Sequence, residues 1–470
     1  MRKQPAPPPE VPAFTGQPLP LPEGLVRQRR EYALITPLFG GGVVPNQADP
    51  VTLIRPTEIR AHLRFWWRAC RGGKSQFNRD IKLMKEEEDR IWGSAAVHEE
   101  EQQQKDVEEV QEVIHPVQIA VEILSSGRAV SPTTAENIPQ YAAFPLLQRD
   151  NRRATNADAK VVKDIRFALI ITYPIAYRKT KAGVDFQTGK TVYREDVEAA
   201  LWAWETFGGI GARTRRGFGA IQLQSIDGTL NTDLPPLQGF TMWLRNQLNK
   251  HVKEEAFPSE VPHLTKNATF AYISKPHEEH AKQENFWEVL QVWKDLVDHY
   301  AKFRQYRING KSVWPEGKAV ATIIEKQQDK DKPGHYDDKF PRAAFGLPIN
   351  FYDKKWGNEA PPAVLLEADN IKGRLASPLI LRPLACQGES AVGLAFLLEG
   401  YRVHSDNLVL TRDNEIKGYV KGSLTQQEVK AIEALHNIPD VLKAFIASLN
   451  RKSTSNTANQ PGKSRHRRNK

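Results

Sequence analysis

The sequence predicts an α+β fold that consists of two successive units with helical insertions. The first half of the 470-residue chain runs strand, helix, strand, strand, helix, strand. This split order is the one found in ferredoxin-like domains, where two helices cover one face of an antiparallel sheet. The second half repeats the pattern more loosely, and a hydrophobic content of 40% is sufficient for two cores.

The first unit is expected over residues 29–228. Helices are predicted from about Thr57 to Arg71 and from about Arg194 to Phe207, because apolar residues recur there at helical spacing and Gly208 and Gly209 end the second helix. An acidic segment near 80–113 is interpreted as a helical insertion with a solvated face. Strands are predicted in the segments EYALITPLF, VQIAVEIL, DIRFALIITYPI and FGAIQLQSI.

The second, divergent ferredoxin-like unit is expected over residues 229–450. Its helices are predicted near 240–253 and 285–304, followed by a C-terminal helical pair at 425–449 that Pro439 interrupts. Strands are predicted near 268–273 and in AAFGLPINFY, SPLILRPLAC and AVGLAFLLEG. Residues 1–28 are interpreted as a proline-rich extended leader, and residues 451–470, which contain no acidic residue, as a disordered basic tail.

The charge balance favours a polyanionic partner. The formal net charge is +10 and the pI is about 9.3. No apolar run is long enough to span a bilayer, and the N-terminus lacks the apolar centre of a signal peptide, so no membrane association is expected. Two cysteines cannot form a disulfide framework, which suits a reducing cytoplasm. Nucleic acid is therefore the leading candidate.

The first predicted helix has two different faces. Ile59, Leu63, Trp66, Trp67 and Cys70 form an apolar side, and Arg60, Arg64, Arg68 and Arg71 are placed on the other. Because neighbouring guanidinium groups repel each other, this arrangement favours a polyanion or an acidic partner opposite the arginines. The alternative is an ordinary solvated basic face.

The segment GGIGARTRRGFGA, residues 208–220, is the strongest functional signal. Glycines allow a close backbone approach, and the arginines between them suit a phosphate–sugar backbone. Phe218 could stack on a base or belong to the core. An ordinary glycine-rich turn is the weaker alternative, and a second glycine cluster at 39–45 adds little evidence alone.

Sequence motifs for several kinds of catalysis are incomplete. Gly73-Lys74-Ser75 and two similar tripeptides lack the first glycine of a P-loop. His277 and His280 do not have the HExxH spacing of a zinc site. His62 could act as a general base in RNA cleavage, although no second acid or base is evident. We therefore expect no cofactor, no metal and no catalysis.

The order TPLFGGG, IRPTEIRAHLRFWWRA, GGIGARTRRGFGAI resembles the RAMP superfamily, and most closely the first Cmr subunit family of type III-B CRISPR effector complexes. WPE at 314–316, FPRAAFGLPI and SPLILRPL are similar to the same family's second half. The resemblance implies two tandem ferredoxin-like (RRM-like) domains. It also implies a non-catalytic subunit that binds guide RNA near its 3′ region and/or target RNA, and that contacts other Cmr subunits.

The arginine face, the loop and the resemblance together give a set of candidate RNA-binding residues. The set is Arg55, Arg60, Arg64, Trp67, Arg68, Gly208, Gly209, Gly211, Arg213, Arg215, Arg216, Gly217 and Gly219. Two alternatives stay open. One is a metal-independent RAMP endoribonuclease that processes guide precursors, and the other is an assembly module that contacts only protein.

Overall fold

The computed structural model describes most of the chain between Leu21 and Thr457. The described ranges are 21–42, 47–49, 51–94, 115–132, 136–144, 160–180, 183–277, 286–327, 333–351, 364–369, 374–400 and 407–457. Within them, no helix is both long and apolar enough to cross a bilayer.

The first unit has the predicted alternation of strands and helices. Its elements are β1 (Leu25–Leu34), α1 (Pro56–Arg71), α2 (Ile81–Trp92), β2 (Gln118–Val130), α3 (Gln140–Ala143), β3 (Val161–Thr180), β4 (Gly183–Thr191), α4 (Arg194–Phe207), β5 (Ile221–Ile226) and β6 (Thr229–Leu230). The sheet order is β2-β3-β1-β5-β6, β4 pairs with β3, and all pairings are antiparallel. The strand order β2-β3-β1-β5 is the one that the split βαββαβ motif produces.

The two faces of this sheet differ in chemistry, as the period of two along β1 requires. Tyr32 and Leu34 belong to the buried core together with Trp204 of α4. On the other face, Glu31 lies 4.0 Å from Arg166 and also pairs with Arg29. No aromatic side chain occupies the aligned open-face positions of β1 and β3. The register aligns positions 27, 29, 31 and 33 of β1 with positions 172, 170, 168 and 166 of β3 on this face.

The second half contains a smaller antiparallel sheet. Its elements are α5 (Phe240–His251), β7 (Phe270–Lys275), α6 (Trp287–Arg304), β8 (Arg307–Ile308), β9 (Lys311–Ser312), α7 (Glu316–Gln327), β10 (Gly334–Lys339), β11 (Ile349–Phe351), β12 (Val364–Ala368), β13 (Leu379–Ala385), β14 (Ala391–Leu397), β15 (Leu408–Arg412), β16 (Glu415–Lys421), α8 (Gln426–Ala431) and α9 (Val441–Thr457). Strands β13-β14-β7 form a three-stranded antiparallel sheet. The order β7, α6, β13, β14, α9 matches a ferredoxin-like unit through its second helix, but no fourth strand joins this sheet within the described ranges.

A five-stranded sheet was not anticipated. Its order is β10-β16-β15-β12-β11, and α7 packs on it through a separate core that includes Ile323, Val364 and Leu410. These strands lie in the segments between α6 and β13 and between β14 and α8, where glycine, charged residues and short apolar runs suggested loops. The predicted strand AAFGLPINFY is mostly wrong, because Pro341–Phe345 forms a 3-10 helix and only Ile349–Phe351 is a strand.

The first unit and the three-stranded sheet share a core. Ile380 and Phe396 pack into the cluster that contains α1 and α4, and the ring centroids of Phe396 and Phe207 are 4.4 Å apart. The adjacent residues Leu379 and Leu381 face the other cluster, which contains α6 and α9. Strands β13 and β14 are therefore buried on both faces, between α4 on one side and α6 with α9 on the other.

The two predicted terminal segments are shorter than expected. Leu25–Gln28, assigned to the leader, already belong to β1 and pair with β3. Helix α9 continues to Thr457, past the predicted start of the tail at 451. The rest of the leader to residue 20 and the tail from 458 lie outside the described residues, as does the acidic segment 95–114.

Arg382 ties β13 to the first unit. Its side chain is fully buried, and Nη2 donates to the carbonyl oxygens of Glu205 at 2.8 Å and Ile221 at 2.9 Å. Burial lowers the pKa of this guanidinium to about 9. Arg382 is therefore a packing residue between the units.

Arg382→Ala should lower the free energy of unfolding by about 2–5 kcal/mol, because it leaves a cavity and two buried carbonyls without a donor. Denaturant unfolding followed by circular dichroism measures this loss. Arg307→Ala is the control, because Arg307 is exposed and its Nη1 bonds only to Gly310 within its own hairpin. Equal stability of the two variants would contradict the structural role of Arg382.

Candidate nucleic-acid interface

The arginine face of α1 is neutralised by the chain itself. Arg64 donates from Nε to Glu88 at 2.5 Å and from Nη2 to Asp89 at 2.5 Å, and its Nη1 reaches the carbonyl of Gly93 at 2.7 Å. Arg68 Nη1 lies 2.5 Å from the same oxygen of Glu88, whose side chain is buried. Of the two partners expected opposite the arginines, a polyanion or an acidic partner, the structure therefore shows the acidic one for Arg64 and Arg68, in α2 of the acidic insertion, and their contact with RNA stays a prediction.

Two other residues of this helix are buried rather than exposed. Trp67 has no exposed surface, and its Nε1 donates to Asp196 at 3.1 Å, so the structure gives it a place in the core and the predicted RNA contact stays a prediction. Arg71 is 6% exposed and its Nη2 donates to the carbonyl of Glu195 at 3.1 Å. At the C-terminal end of the helix Arg71 therefore contacts α4, whereas Arg64 and Arg68 contact α2.

Arg55 and Arg60 are the half-buried arginines of this region that do not contact α2. Arg55 precedes α1 and pairs with Asp49, whose pKa is lowered to about 2 by the main-chain N–H groups of Thr52 and Val51 and by Arg55. Arg60 makes no polar contact within the described part of the chain, and its Nε is buried without a partner. Both arginines remain candidates for an external anion.

The glycine–arginine loop, residues 208–219, is mainly a joint between the two units. Arg215 Nη1 donates to the carbonyl of Ser377, and Arg216 Nη1 donates to that of Leu379 at 3.1 Å. In return, Trp293 of α6 donates from Nε1 to the carbonyl of Arg216 at 2.7 Å. The loop therefore exchanges hydrogen bonds with β13 and α6.

Glycine is required where this joint is tightest. Gly217 has φ +86°, and a Cβ at this position would lie 2.4 Å from Nε1 of Trp293. Phe218 is fully buried between Phe39 and Trp293, so it belongs to the core and does not stack on a base. Gly208, Gly209 and Gly219 are likewise buried. These four glycines allow close packing inside the protein, and their predicted approach to RNA stays a prediction without an exposed surface to support it.

Gly211 lies at the open end of the loop. Its N–H donates to Glu58 Oε1 of α1 at 2.8 Å, and its neighbour Ala212 donates to the carbonyl of Phe39 at 2.7 Å. A cavity of about 490 Å³ opens here, lined by Gly41, Arg55, Thr57, Glu58, Gly211 and Ala212. The two glycine clusters of the sequence thus meet at the N-terminus of α1, a place where helix geometry favours an anion.

The loop arginines form a cation cluster with Arg374, defined here as Arg213, Arg215, Arg216 and Arg374. Burial and the charges of Arg216 and Arg374 lower the pKa of Arg213 to about 10. Burial and Arg216 lower the pKa of Arg215 to about 10. No described carboxylate forms an ion pair with the cluster, since its hydrogen bonds go to carbonyl oxygens and the Tyr300 hydroxyl. Within the described residues, the positive charge of the cluster is therefore not neutralised.

The predicted site divides into two parts that lie on different sides of α1. Glu58 contacts the loop through Gly211, and the guanidinium of Arg215 lies 5.7 Å from the centre of the Phe65 ring. Arg64 and Arg68 face α2. Residues two apart on a helix are separated by about 200°, so Glu58 and Arg60 also diverge. The structure brings Arg55, Gly211 and the cation cluster to the loop side and leaves the others elsewhere.

Arg374 and Asp49 are the residues of this region that sequence reasoning undervalued. Arg374 is not among the candidate RNA-binding residues, although it is exposed beside Arg213. Asp49 was not singled out, although it accepts N–H bonds from Val51 and Thr52 and orients Arg55. An aspartate followed by an arginine six residues later is too common a pattern to signal this contact.

His62 is the candidate base of the catalytic alternative. Its Nε2 lies 3.5 Å from Glu58 Oε1, and that carboxylate oxygen also accepts the N–H of Gly211. In the part of the chain that the structure covers, no three His, Cys, Asp or Glu side chains are grouped so that they could hold a metal ion. A histidine beside a carboxylate has the composition of an acid–base pair, but Nε2 of His62 makes no hydrogen bond to the described residues, and Glu58 is the residue that holds the loop against α1.

The first unit is similar in sequence to known proteins. Residues 31–222 match the model of the RAMP superfamily. Over 192 residues the chain is 26% identical to the CRISPR system Cmr subunit Cmr1-2 of Pyrococcus furiosus, which covers 41% of this chain and 92% of the relative.

Two solved structures are similar at greater distance. The apo crystal structure of Cmr1 from Pyrococcus furiosus aligns with 87% of this chain and 96% of its own, at a TM-score of 0.45 and 15% identity. A chain of the type III-B Cmr-beta complex bound to cognate target RNA and AMPPnP aligns with 92% of this chain and 100% of its own, at a TM-score of 0.39 and 10% identity. These likenesses are too distant to assign a function.

The residues matched by the family model include α1, α4 and the glycine–arginine loop. The sequence comparisons confirm the resemblance to the first Cmr subunit family that the motif order indicated. Residues 31–222 of this chain are therefore similar to the RAMP superfamily and to a Cmr subunit of that description.

Proposed function

We propose that this protein is an RNA-binding, non-catalytic subunit of a type III-B CRISPR (Cmr) effector complex. The observation that carries the proposal is the cation cluster beside the cavity at the start of α1. The four arginines of the cluster have no carboxylate partner among the described residues, and the loop that carries three of them also lines the cavity through Gly211 and Ala212. The similarity of residues 31–222 to a Cmr subunit supports the assignment to such a complex.

Lowered arginine pKa values indicate a strained electrostatic state that an anion would relieve. Each buried guanidinium is disfavoured by loss of water and by its positive neighbours. A phosphate group nearby would reverse the second effect and could accept bidentate hydrogen bonds. The main-chain amides at the N-terminus of α1 suit the same anion.

The binding mode we propose is backbone recognition rather than base stacking on the sheet. The aligned open-face positions of β1 and β3 have no aromatic residues, so the stacking surface of RRM domains is missing from these strands. Arginines and helix amides instead contact phosphates without reading sequence. In a complex with a guide, this mode allows one protein to hold guides of any sequence near the 3′ region and/or the paired target RNA.

Arg213→Ala combined with Arg374→Ala should weaken binding of single-stranded RNA by about ten- to a hundredfold at fixed salt. The slope of log K against log salt should fall by about 1.4, since each lost phosphate contact contributes about 0.7. Fluorescence anisotropy over a salt series measures both quantities.

The matched control for this double variant is Arg90→Ala with Arg307→Ala, which removes the same charge from exposed positions away from the loop. It should leave the affinity nearly unchanged. Equal effects of the two double variants would show that net charge alone drives binding, and no effect of either would favour a module that contacts only protein.

The endoribonuclease alternative rests on the pair His62 and Glu58. Incubated with guide-precursor RNA in the presence of a chelator, the purified protein should give no discrete products. Cleavage that disappears in His62→Ala but persists in the exposed-histidine control His436→Ala would contradict the non-catalytic assignment.

A further inference from the structure

A second and larger cavity lies on the far side of the first unit from the cation cluster. Its volume is about 960 Å³, and it is bounded by α4, β5, the segment after β6, α5 and the end of β13. Its walls include the side chains of Trp202, Trp243, Leu223, Leu234 and Pro235. None of the proposed RNA contacts lines it, so the proposed function does not account for this cleft.

Polar atoms without partners are concentrated in the cleft walls. The indole Nε1 atoms of Trp202 and Trp243 are buried and make no hydrogen bond to the described residues, and the same holds for Gln222 Oε1. A buried donor without an acceptor costs about 1–3 kcal/mol. Acceptors of a ligand in the cleft would satisfy these two donors once the side chains that cover the Nε1 atoms move aside.

The aromatic wall is rigid and uncharged. The ring of Trp202 stacks on His251, with centroids 4.8 Å apart and an interplanar angle of 12°. Burial, together with Lys250 and Arg71, lowers the pKa of His251 to about 3, so this imidazole is neutral at physiological pH. The stack presents a flat apolar surface beside the unpaired indole nitrogens.

The charge of the cleft does not favour a polyanion. Its lining contains the cations Arg30, Arg71, Arg194 and Lys250 and the acids Glu195, Glu198, Glu205 and Asp233, so four positive and four negative groups balance. Arg30 is 2.5 Å from Glu198, which accounts for one opposite pair. Nucleic acid would place phosphates near carboxylates, whereas a polypeptide carries no such penalty.

The leader of this chain has the chemistry that fits the cleft. Residues 1–20, MRKQPAPPPEVPAFTGQPLP, contain seven prolines and include two P-x-x-P patterns. Proline-rich segments adopt the polyproline II conformation, whose carbonyls have no internal partners. Such segments dock in grooves lined by aromatic side chains. Arg2 and Lys3 add positive charge that complements the exposed Glu195 and Asp233 at the cleft.

The leader is also attached close to the cleft. The carbonyl of Gly24 accepts the N–H of Ile175 at 2.8 Å, and Ile175 pairs with Thr191, which lines the cleft. At about 3.1 Å per residue, a few residues before Gly24 already reach its edge. We propose that the cleft between α4 and α5 is a docking site for the proline-rich leader of the same chain.

A competition experiment on the full-length protein tests this proposal. Anisotropy of a labelled peptide of residues 1–22 would be measured with the intact chain and with a full-length leader variant. In the variant, alanine replaces Pro5, Pro7, Pro8, Pro9, Pro12, Pro18 and Pro20. The intact chain should bind the peptide at least tenfold more weakly, because its own leader occupies the cleft.

Substitution of one tryptophan shows whether the indole N–H donors contribute to binding of the peptide. Adding Trp243→Phe to the leader variant keeps an aromatic ring but removes the N–H, and should weaken peptide binding about tenfold. A peptide with alanine in place of proline should not bind.

Three results would overturn the proposal. These are no binding of the peptide to the leader variant, equal binding to the intact chain, and binding that Trp243→Phe leaves unchanged. A single-stranded RNA that displaces the peptide from the leader variant would instead assign the cleft to nucleic acid. RNA affinity of the Trp243→Phe variant, measured in parallel, keeps this result separate from the proposed function of the cation cluster.

Discussion

Hydrogen bonds from arginine guanidinium groups to main-chain carbonyls hold the two halves of this molecule together. Arg215 and Arg216 reach from the first unit to Ser377 and Leu379, and Arg382 reaches back to Glu205 and Ile221. A guanidinium fork can serve two carbonyls at once, which a lysine cannot do with the same geometry. The shared core of α4, β13 and β14 forms around these contacts.

The loop retains positive charge because its arginines bond to main-chain carbonyl oxygens rather than to carboxylates. Carbonyl oxygens satisfy the hydrogen-bonding groups of an arginine without cancelling its charge, whereas the carboxylates of Glu88 and Asp89 do both for Arg64. Two sets of arginines that look alike in sequence therefore differ in whether their positive charge is neutralised. One is a neutralised contact between helices, and the other is a charged joint that can attract phosphate.

Much of the first unit could be predicted from the sequence, because helical periodicity and the glycines after Phe207 are local signals. The end of α4 is located correctly for this reason. The partner of each arginine could not be predicted, since α2 follows α1 by a connection whose direction depends on tertiary packing. The five-stranded sheet was missed because its strands are short and distant in sequence, and β10 pairs in parallel with β16 about eighty residues later.

The candidate site was predicted in part, and the errors have a common cause. Glycine permits close approach, but sequence does not say whether RNA or another part of the chain approaches. At Gly217 the neighbour is Trp293, which is 76 residues away. Gly211 is also closely packed, since a Cβ there would lie 2.6 Å from Cδ1 of Leu38, but together with Gly41 it lines the cavity at the start of α1. The positions that stayed open are those where two glycine clusters face each other.

The role of the loop as a joint is tested most directly by hydrogen–deuterium exchange on Arg216→Ala, with Arg213→Ala as the matched variant. Arg216 bonds across the joint to Leu379 and Tyr300, whereas Arg213 bonds to Ala142 of the first unit. The account predicts faster amide exchange in β13 and α6 for Arg216→Ala, and native protection there for Arg213→Ala. Unchanged protection of β13 and α6 in Arg216→Ala would contradict it.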